Sequence, residues 1–225
     1  MTGQELKNSI LQLAIQGKLV KQRKEEGTAE KLYKEIQKEK EKLIKEKKIR
    51  KTKALKKISE EEIPFEIPKS WKWVRLGEVT NYGEVQTIKP QNISSDVWVL
   101  ELVDIEKESS VLLEKVLNKT RKSKSTKKIF HEGDVLYGKL RPYLKKVIVA
   151  TGKGVCSTEI VPFKAYKGII PQYIALFLKA PAIDFIINNT THGMDMPRLG
   201  KQAARNLSFP LPPLAEQKRI VDKLE

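Results

Sequence analysis

The chain has 225 residues, of which 40% are hydrophobic and 32% are charged, and its formal net charge is +16. One cysteine excludes an internal disulfide, two histidines and one cysteine argue against a closed zinc site, and no apolar run approaches the ~18 residues of a membrane span. The basic excess favours a polyanionic partner, with nucleic acid foremost, although a solvated Lys/Glu surface would have the same composition. The single cysteine and the lack of a signal peptide lead us to expect that the protein is located in a reducing cytoplasm.

Residues 3–20 are predicted to form a helix with two apolar stripes. One stripe keeps the 4-3-4-3 spacing of a packing seam and consists of Leu6, Ile10, Leu13, Gly17 and Val20. The second stripe contains Leu11, Ile15 and Leu19. A helix that is apolar on two sides is expected to lie between neighbours, so we predict that Leu6, Ile10, Leu13 and Gly17 pack against a partner helix.

A second helix is predicted from Thr28, as its N-cap, to about residue 50, with a thin apolar seam among many Lys and Glu residues. We assign residues 1–57 to a helical segment and residues 58–62 to a linker. Residues 63–209 differ in composition, because short β-branched or aromatic runs alternate there with glycine and polar residues. Strands are predicted at 98–103, 134–137, 147–150 and 159–163, and helices after Pro171 and Pro181. The predicted fold class is α+β, with one mixed domain flanked by helices.

The densest group of basic side chains lies between two of the predicted strands. It comprises Lys139, Arg141, Tyr143, Lys145 and Lys146. Arginine can donate two hydrogen bonds to guanine, lysine neutralises phosphate, and tyrosine stacks or donates a hydrogen bond. A DNA-binding loop and a hairpin with a merely solvated basic tip are equally compatible with these residues.

A second basic segment follows a polar loop and contains three candidate phosphate ligands, Arg198, Lys201 and Arg205. Within the loop, His192 is expected to form hydrogen bonds rather than to act as a metal ligand or a base. A third segment, residues 121–128, is expected to be flexible, with a non-specific role at phosphates.

The chain ends in a proline-rich stretch that is predicted to lead into a helix over residues 213–225, within a segment that we bound at 210–225. Leu214, Val221 and Leu224 supply about half an apolar stripe, which again predicts a partner helix.

No motif predicts catalysis. There is no phosphate-binding Walker loop and no dinucleotide fingerprint, and Asp134 and Glu159 are as readily explained by turns. We expect no catalytic residue, no metal and no cofactor.

Four segments, at residues 6–20, 133–144, 157–159 and 210–221, closely resemble the specificity (S) subunit of type I restriction–modification systems. The resemblance implies a non-catalytic subunit in which residues 63–209 form one target-recognition domain for one half of a split DNA site. It also implies partners: double-stranded DNA, methyltransferase (M) subunits and, through them, the motor–nuclease (R) subunit.

The chain is half the usual length of that family, which suggests a truncated product, a recombination cassette, or a half subunit that pairs with a second copy. Two other functional classes stay open. One is a helical protein-interaction module with an incidental basic surface, and the other is an enzyme that acts on nucleic acid.

Overall fold

The computed structural model describes residues 2–191, 193 and 195–224, which form eight α-helices and nine strands. The helices are α1 (Gly3–Ile15), α2 (Ala29–Lys45), α3 (Leu76–Val79), α4 (Asn118–Arg121), α5 (Pro171–Lys179), α6 (Pro181–Thr190), α7 (Lys201–Arg205) and α8 (Leu214–Asp222). The strands are β1 (Lys72–Arg75), β2 (Thr87–Ile88), β3 (Trp98–Leu100), β4 (Lys127–Phe130), β5 (Val135–Gly138), β6 (Val147–Val149), β7 (Gly154–Cys156), β8 (Ile160–Phe163) and β9 (Ser208–Leu211). This combination confirms the predicted α+β class.

Three small sheets form the middle of the fold. Strand β1 pairs antiparallel with β9. The second sheet has the order β2-β4-β7-β3, in which only the β3–β7 pair is parallel. The third sheet is antiparallel with the order β6-β5-β8, and its β5–β6 connection is the segment 139–146. This sheet therefore positions the first basic segment that the sequence singled out.

The N-terminal helix, for which we predicted a partner helix, packs on the middle of its own chain. Leu11, Ala14 and Ile15 are buried in the same hydrophobic core as α5 and α6, both of which α1 contacts. The Gln12 side chain accepts a hydrogen bond from the Ala182 backbone N–H at the start of α6, at 3.1 Å. The buried stripe of α1 is therefore the second one.

Polar contacts join the C-terminal helix to the segment between α1 and α2. The buried Glu216 side chain accepts hydrogen bonds from Trp71 Nε1 at 2.8 Å and from Gln22 Nε2. Burial raises the pKa of the Glu216 carboxyl. Arg219 donates to both carboxylate oxygens of Glu26, at 2.8 and 2.7 Å. Residues near the two ends of the chain thus share one packed region.

Strand β9 continues across residues 209 and 210, where we predicted a domain boundary. Phe209 and Leu211 are fully buried, and the Pro210 carbonyl accepts a hydrogen bond from the Tyr173 hydroxyl at 2.9 Å. Proline is tolerated here because β9 is an edge strand that pairs only with β1. The proline-rich stretch is therefore part of the folded core.

Both N-terminal helices end earlier than predicted. The first stops at Ile15 because Gly17 adopts a left-handed φ of +69°, and a Cβ at this glycine would lie 2.5 Å from Pro68. Gly17 thus ends the helix and packs on Pro68, which corrects its assignment to the partner-packing seam. The second helix stops at Lys45, shortly before Lys47 takes a φ of 56°.

The buried guanidinium of Arg75 fixes the segment that we predicted as a linker. It donates hydrogen bonds to the carbonyls of Lys56 and Lys57, each at 2.9 Å, and to Glu62 Oε2 at 2.8 Å. The Arg75 hydrogen bond and the Ser59 backbone N–H lower the pKa of Glu62 to about 2. Residues 56–62 are therefore attached to β1.

Candidate nucleic-acid interface

The β5–β6 hairpin presents an arginine and a tyrosine at its tip. A single 3₁₀ turn, Pro142–Leu144, occupies the tip, and proline suits its first position because the ring fixes φ. The flanking residues Arg141 and Lys145 have left-handed backbones with φ of 49° and 52°. Such a conformation costs roughly 1–2 kcal/mol for a residue with a Cβ atom. The Arg141 side chain is exposed and Tyr143 is 46% exposed, so both can reach a ligand.

The second basic segment lies directly beside this hairpin. The Arg141 backbone N–H donates to the Pro197 carbonyl at 2.8 Å, and the Leu199 N–H donates to the Lys139 carbonyl at 3.0 Å. Leu140 and Arg198 form an antiparallel β-bridge. The fold thus brings together two basic segments that are almost sixty residues apart in sequence. We call the surface formed by residues 139–146 and 196–201 the basic platform.

A carboxylate organises the charges of the basic platform. Glu159 accepts a hydrogen bond from Arg198 Nε at 3.1 Å, and its Oε2 lies 3.9 Å from Lys139 Nζ. Its carbonyl also accepts a hydrogen bond from the Lys139 N–H at 2.9 Å. Lys139 and Arg198 keep 29% and 42% of their side chains exposed. Glu159 therefore orients two cations that still face solvent.

The loop that contains Glu108 and Ser110 precedes the hairpin in sequence and forms hydrogen bonds with its backbone. The Ser110 hydroxyl donates to the Lys145 carbonyl at 2.5 Å and accepts from the Val147 N–H at 3.2 Å. The Glu108 N–H donates to the Leu144 carbonyl at 2.9 Å. Nothing in the local sequence marks these contacts, because they join segments some 35 residues apart. The loop satisfies backbone groups on both sides of the turn and so fixes its conformation.

Two of the predicted DNA-binding lysines face the protein. Lys145 forms an ion pair with Asp184 at 3.2 Å and keeps only 13% of its side chain exposed. Lys146 Nζ donates to the Leu102 carbonyl at 2.7 Å, and burial lowers the pKa of its ammonium group. Both lysines hold the hairpin in place, which corrects the expectation that they are free to bind DNA.

Arg205 is also misassigned by the sequence analysis. It is 6% exposed on α7, and it packs so closely on α3 that a Cβ at Gly77 would lie 2.9 Å from the Arg205 Cβ. By contrast Lys201, at the start of the same helix, is exposed, and its Nζ donates to the Gly83 carbonyl at 3.0 Å. Arg205 is therefore buried away from any nucleic-acid partner, whereas Lys201 remains accessible.

The predicted partner-packing residues divide into exposed and buried sets. Leu6, Leu13 and Leu214 are 46%, 40% and 47% exposed, and Ile10 is half-buried. Val221 is buried at 6% exposure and Leu224 packs against the same core, because α8 lies on α5. The latter two positions therefore already have partners within the chain.

The remaining candidates add little to the site. His192 lies outside the described residues. In the segment 121–128, Arg121 forms two hydrogen bonds with Asp104, at 2.6 and 2.7 Å, and Lys127 pairs with Glu101 at 2.6 Å. These contacts order a segment that we expected to be flexible.

Across residues 2–191, 193 and 195–224, no group of His, Cys, Asp and Glu side chains is arranged to hold a metal ion. A search of the same residues finds no helix with the length and hydropathy that crossing a membrane requires.

Residues 65–225 match the family described as the type I restriction modification DNA specificity domain. The chain belongs to this family. Specificity subunits are the non-catalytic DNA-recognition components of restriction–modification complexes. The basic platform lies within residues 65–225, the part of the chain that matches this DNA specificity domain.

Curated relatives and a solved structure agree with the family assignment. The chain is 32% identical to the type I restriction enzyme EcoAI specificity subunit of Escherichia coli over 98% of its own length, and 32% identical to the EcoEI specificity subunit of the same organism over 96%. It resembles the crystal structure of the HsdS subunit from Thermoanaerobacter tengcongensis with a TM-score of 0.59 and 28% identity, over 72% of this chain and 43% of that one. The chain spans 39% and 38% of the two curated relatives, about two fifths of their length.

Proposed function

We propose that this specificity domain binds double-stranded DNA in a sequence-specific manner and recognises one half of a bipartite site. In this proposal it directs methyltransferase subunits, and through them the motor–nuclease subunit, to that site. The observation that supports it best is the basic platform, in which backbone hydrogen bonds join two distant basic segments beside an exposed arginine and tyrosine. We also propose a cytoplasmic location, in keeping with the single cysteine of the chain.

The chemistry of the platform suits a duplex. Arg141 is exposed and can donate two hydrogen bonds to a guanine edge, and Tyr143 can stack or donate to a base or phosphate. Lys139 and Arg198 are held by Glu159 at the base of the hairpin, which suits them to phosphate contacts that fix the register of the protein on DNA. Specific readout is thus proposed for the tip and positioning for its base.

Exposed apolar residues offer a surface for the protein partners. Leu6 and Leu13 lie on the outer side of α1, and Leu214 begins α8. Exposed leucines that follow a helical spacing favour contact with a partner helix, which we assign to a methyltransferase subunit. Pairing with a second copy of this chain is the other partner that such a surface suits.

A binding titration tests the DNA proposal. We expect Arg141→Ala to weaken binding to a preferred duplex by about 1–3 kcal/mol, because one base-contacting side chain is lost. Fluorescence anisotropy measures the affinity, and far-ultraviolet circular dichroism checks that the fold is retained. Lys38→Ala, which removes an exposed lysine from α2, is the matched control and should bind as the unmodified chain does. Equal affinities for the unmodified chain and the Arg141→Ala variant would remove Arg141 from the interface.

The exposed leucines of α1 also favour a second candidate function, a helical interaction module whose basic surface is incidental. The same titration separates the two candidates. A pure interaction module would bind random duplexes only weakly and without preference, yet it would still co-purify with a methyltransferase subunit.

A further inference from the structure

A basic groove lies at the end of the β5–β8 pair opposite to the hairpin, and it shares Lys201 with the basic platform. Its walls are residues 48–52 after α2, residues 81–86 between α3 and β2, and residues 162–164 at the end of β8. It has a volume of about 720 Å³. Two of its lining residues were singled out from the sequence, Lys201 as a candidate phosphate ligand and Asp134 as a turn residue.

Positive charge dominates the groove. Five cations line it, namely Lys48, Arg50, Lys51, Lys164 and Lys201, and all five are exposed. Two carboxylates also line it, which leaves a net charge of +3 with histidine neutral. Glu46, which lies outside the groove, pairs with Lys48 at 2.8 Å.

The two carboxylates are not equivalent. Asp134 is 4% exposed, and one of its oxygens accepts a hydrogen bond from the His131 backbone N–H at 2.8 Å. Its other oxygen is buried without a partner among the described residues. Glu84 is half-buried. Because Asp134 is buried, an extended polyanion would meet mainly the exposed cations of the rim.

Residues 198–201 connect the hairpin to the groove. Arg198 forms the β-bridge with the hairpin, and three residues later Lys201 reaches into the groove, where its Nζ bonds the Gly83 carbonyl. Asp134 and Lys139 bracket β5, so the Asp134 end of the groove lies about 16 Å from the base of the hairpin at ~3.3 Å per residue of a strand. That separation matches roughly five base-pair steps of ~3.4 Å along a duplex.

We propose that this groove binds the phosphate backbone of the duplex flank next to the sequence that the platform recognises. The inference rests on the proposed DNA-binding function and adds a second, sequence-independent contact to it. Phosphodiester backbone is the ligand that this lining suits, since it needs cations and no base pocket. Phe163 is the one Phe, Tyr or Trp residue of the lining and is 1% exposed, so the lining presents no phenyl or indole face to a base.

The test compares two variants that each lose three positive charges. The groove variant carries Lys48→Ala, Arg50→Ala and Lys51→Ala, and the control variant carries Lys31→Ala, Lys38→Ala and Lys45→Ala, which are exposed residues of α2. Affinity for a preferred duplex is measured at several salt concentrations. Each phosphate contact contributes about 0.9 to the slope of log affinity against log salt, so the groove variant should lose about 2 to 3 from this slope.

Four further results decide the proposal. The control variant should keep the slope of the unmodified chain, and the groove variant should keep its preference for one sequence over another. A single charge reversal, Lys51→Glu, should lower affinity at low salt and lose this effect at high salt. Shortening the duplex on the flank beside the groove should weaken the unmodified chain more than it weakens the groove variant, which keeps Lys164 and Lys201.

The failure of this inference differs from the failure of the proposed function. Suppose that the unmodified chain binds with a sequence preference and that both triple variants keep its slope of log affinity against log salt. The groove proposal is then overturned, whereas the proposed role of the basic platform is unaffected. If the groove variant loses sequence preference, its contacts are not confined to phosphates and the proposal is overturned too. If no duplex is bound with preference, the proposed function itself is contradicted.

Discussion

Arg141 combines an exposed side chain with a strained backbone. Its φ of 49° places it in the left-handed region, and its backbone N–H is committed to the Pro197 carbonyl at 2.8 Å. Residues held in such conformations cluster at functional sites, where the surrounding structure imposes them. Hydrogen bonds of Ser110 fix the other side of the same hairpin, at Lys145 and Val147. The exposed side chain of Arg141 is therefore available for contacts at the surface.

We predict that Arg141→Gly lowers DNA affinity without lowering the free energy of unfolding. Glycine adopts φ near 49° without a Cβ penalty, so the free energy of unfolding should stay the same or rise by up to about 1 kcal/mol. DNA affinity should nevertheless fall as far as in Arg141→Ala. Urea denaturation measures the first quantity and anisotropy the second.

Lys145→Gly is the matched comparison, because Lys145 has a similar φ of 52° but pairs with Asp184. Its stability should fall, since the partly buried Asp184 carboxylate loses its cation. A large loss of stability in Arg141→Gly would show that the arginine side chain packs instead of binding DNA.

At the residue scale, the sequence showed which basic side chains lie near the site, but not which of them form contacts within the protein. Lys145, Lys146 and Arg205 look like Arg141 in sequence, yet the fold uses all three internally. Their partners lie far away along the chain, and no local pattern encodes them. The groove cations of residues 48–51 were missed for the same reason.

At the scale of elements, the strands at 147–150 and 159–163 and the helices after Pro171 and Pro181 could be predicted, because each carries a continuous apolar run or a proline start. The strand predicted at 98–103 stops at Leu100, and a 3₁₀ turn follows at Leu102. Strands β1, β2, β4, β7 and β9 have two to four residues each, which is too short for a period-two pattern.

The attachment of residues 56–62 to β1 should depend on pH. Because Arg75 lowers the folded-state pKa of Glu62 to about 2 from an ordinary 4.5, this pair stabilises the fold above pH 4.5, and the contribution is lost as pH falls toward 2. Glu62→Gln should lower the free energy of unfolding near neutral pH by at most about 1 kcal/mol, since solvent screens the partly exposed pair.

The measurement is urea denaturation near neutral pH and near pH 2, with Glu61→Gln as a control at an exposed neighbour. The difference between Glu62→Gln and the unmodified chain should vanish at the lower pH. A difference that persists unchanged there would mean that the carboxylate charge of Glu62 does not contribute.

At the scale of the whole molecule, the terminal helices and the middle share one core. Residues of α1, α2, α5, α6 and α8 belong to the same buried cluster, and Glu216 and Arg219 of α8 contact Gln22 and Glu26 in the segment after α1. The sequence patterns predicted terminal helices whose apolar stripes require partner helices. Tertiary packing supplied most of those partners within the chain and left the outer leucines of α1 exposed.

The central claim is that this specificity domain recognises a DNA sequence through the basic platform. Selection from a pool of duplexes with randomised central positions tests it most directly, with the unmodified chain and Arg141→Ala compared under identical salt. We predict that the unmodified chain enriches one short sequence and that Arg141→Ala loses preference at one or more of its positions. Recovery of duplexes in the proportions of the starting pool, despite measurable binding, would contradict the claim.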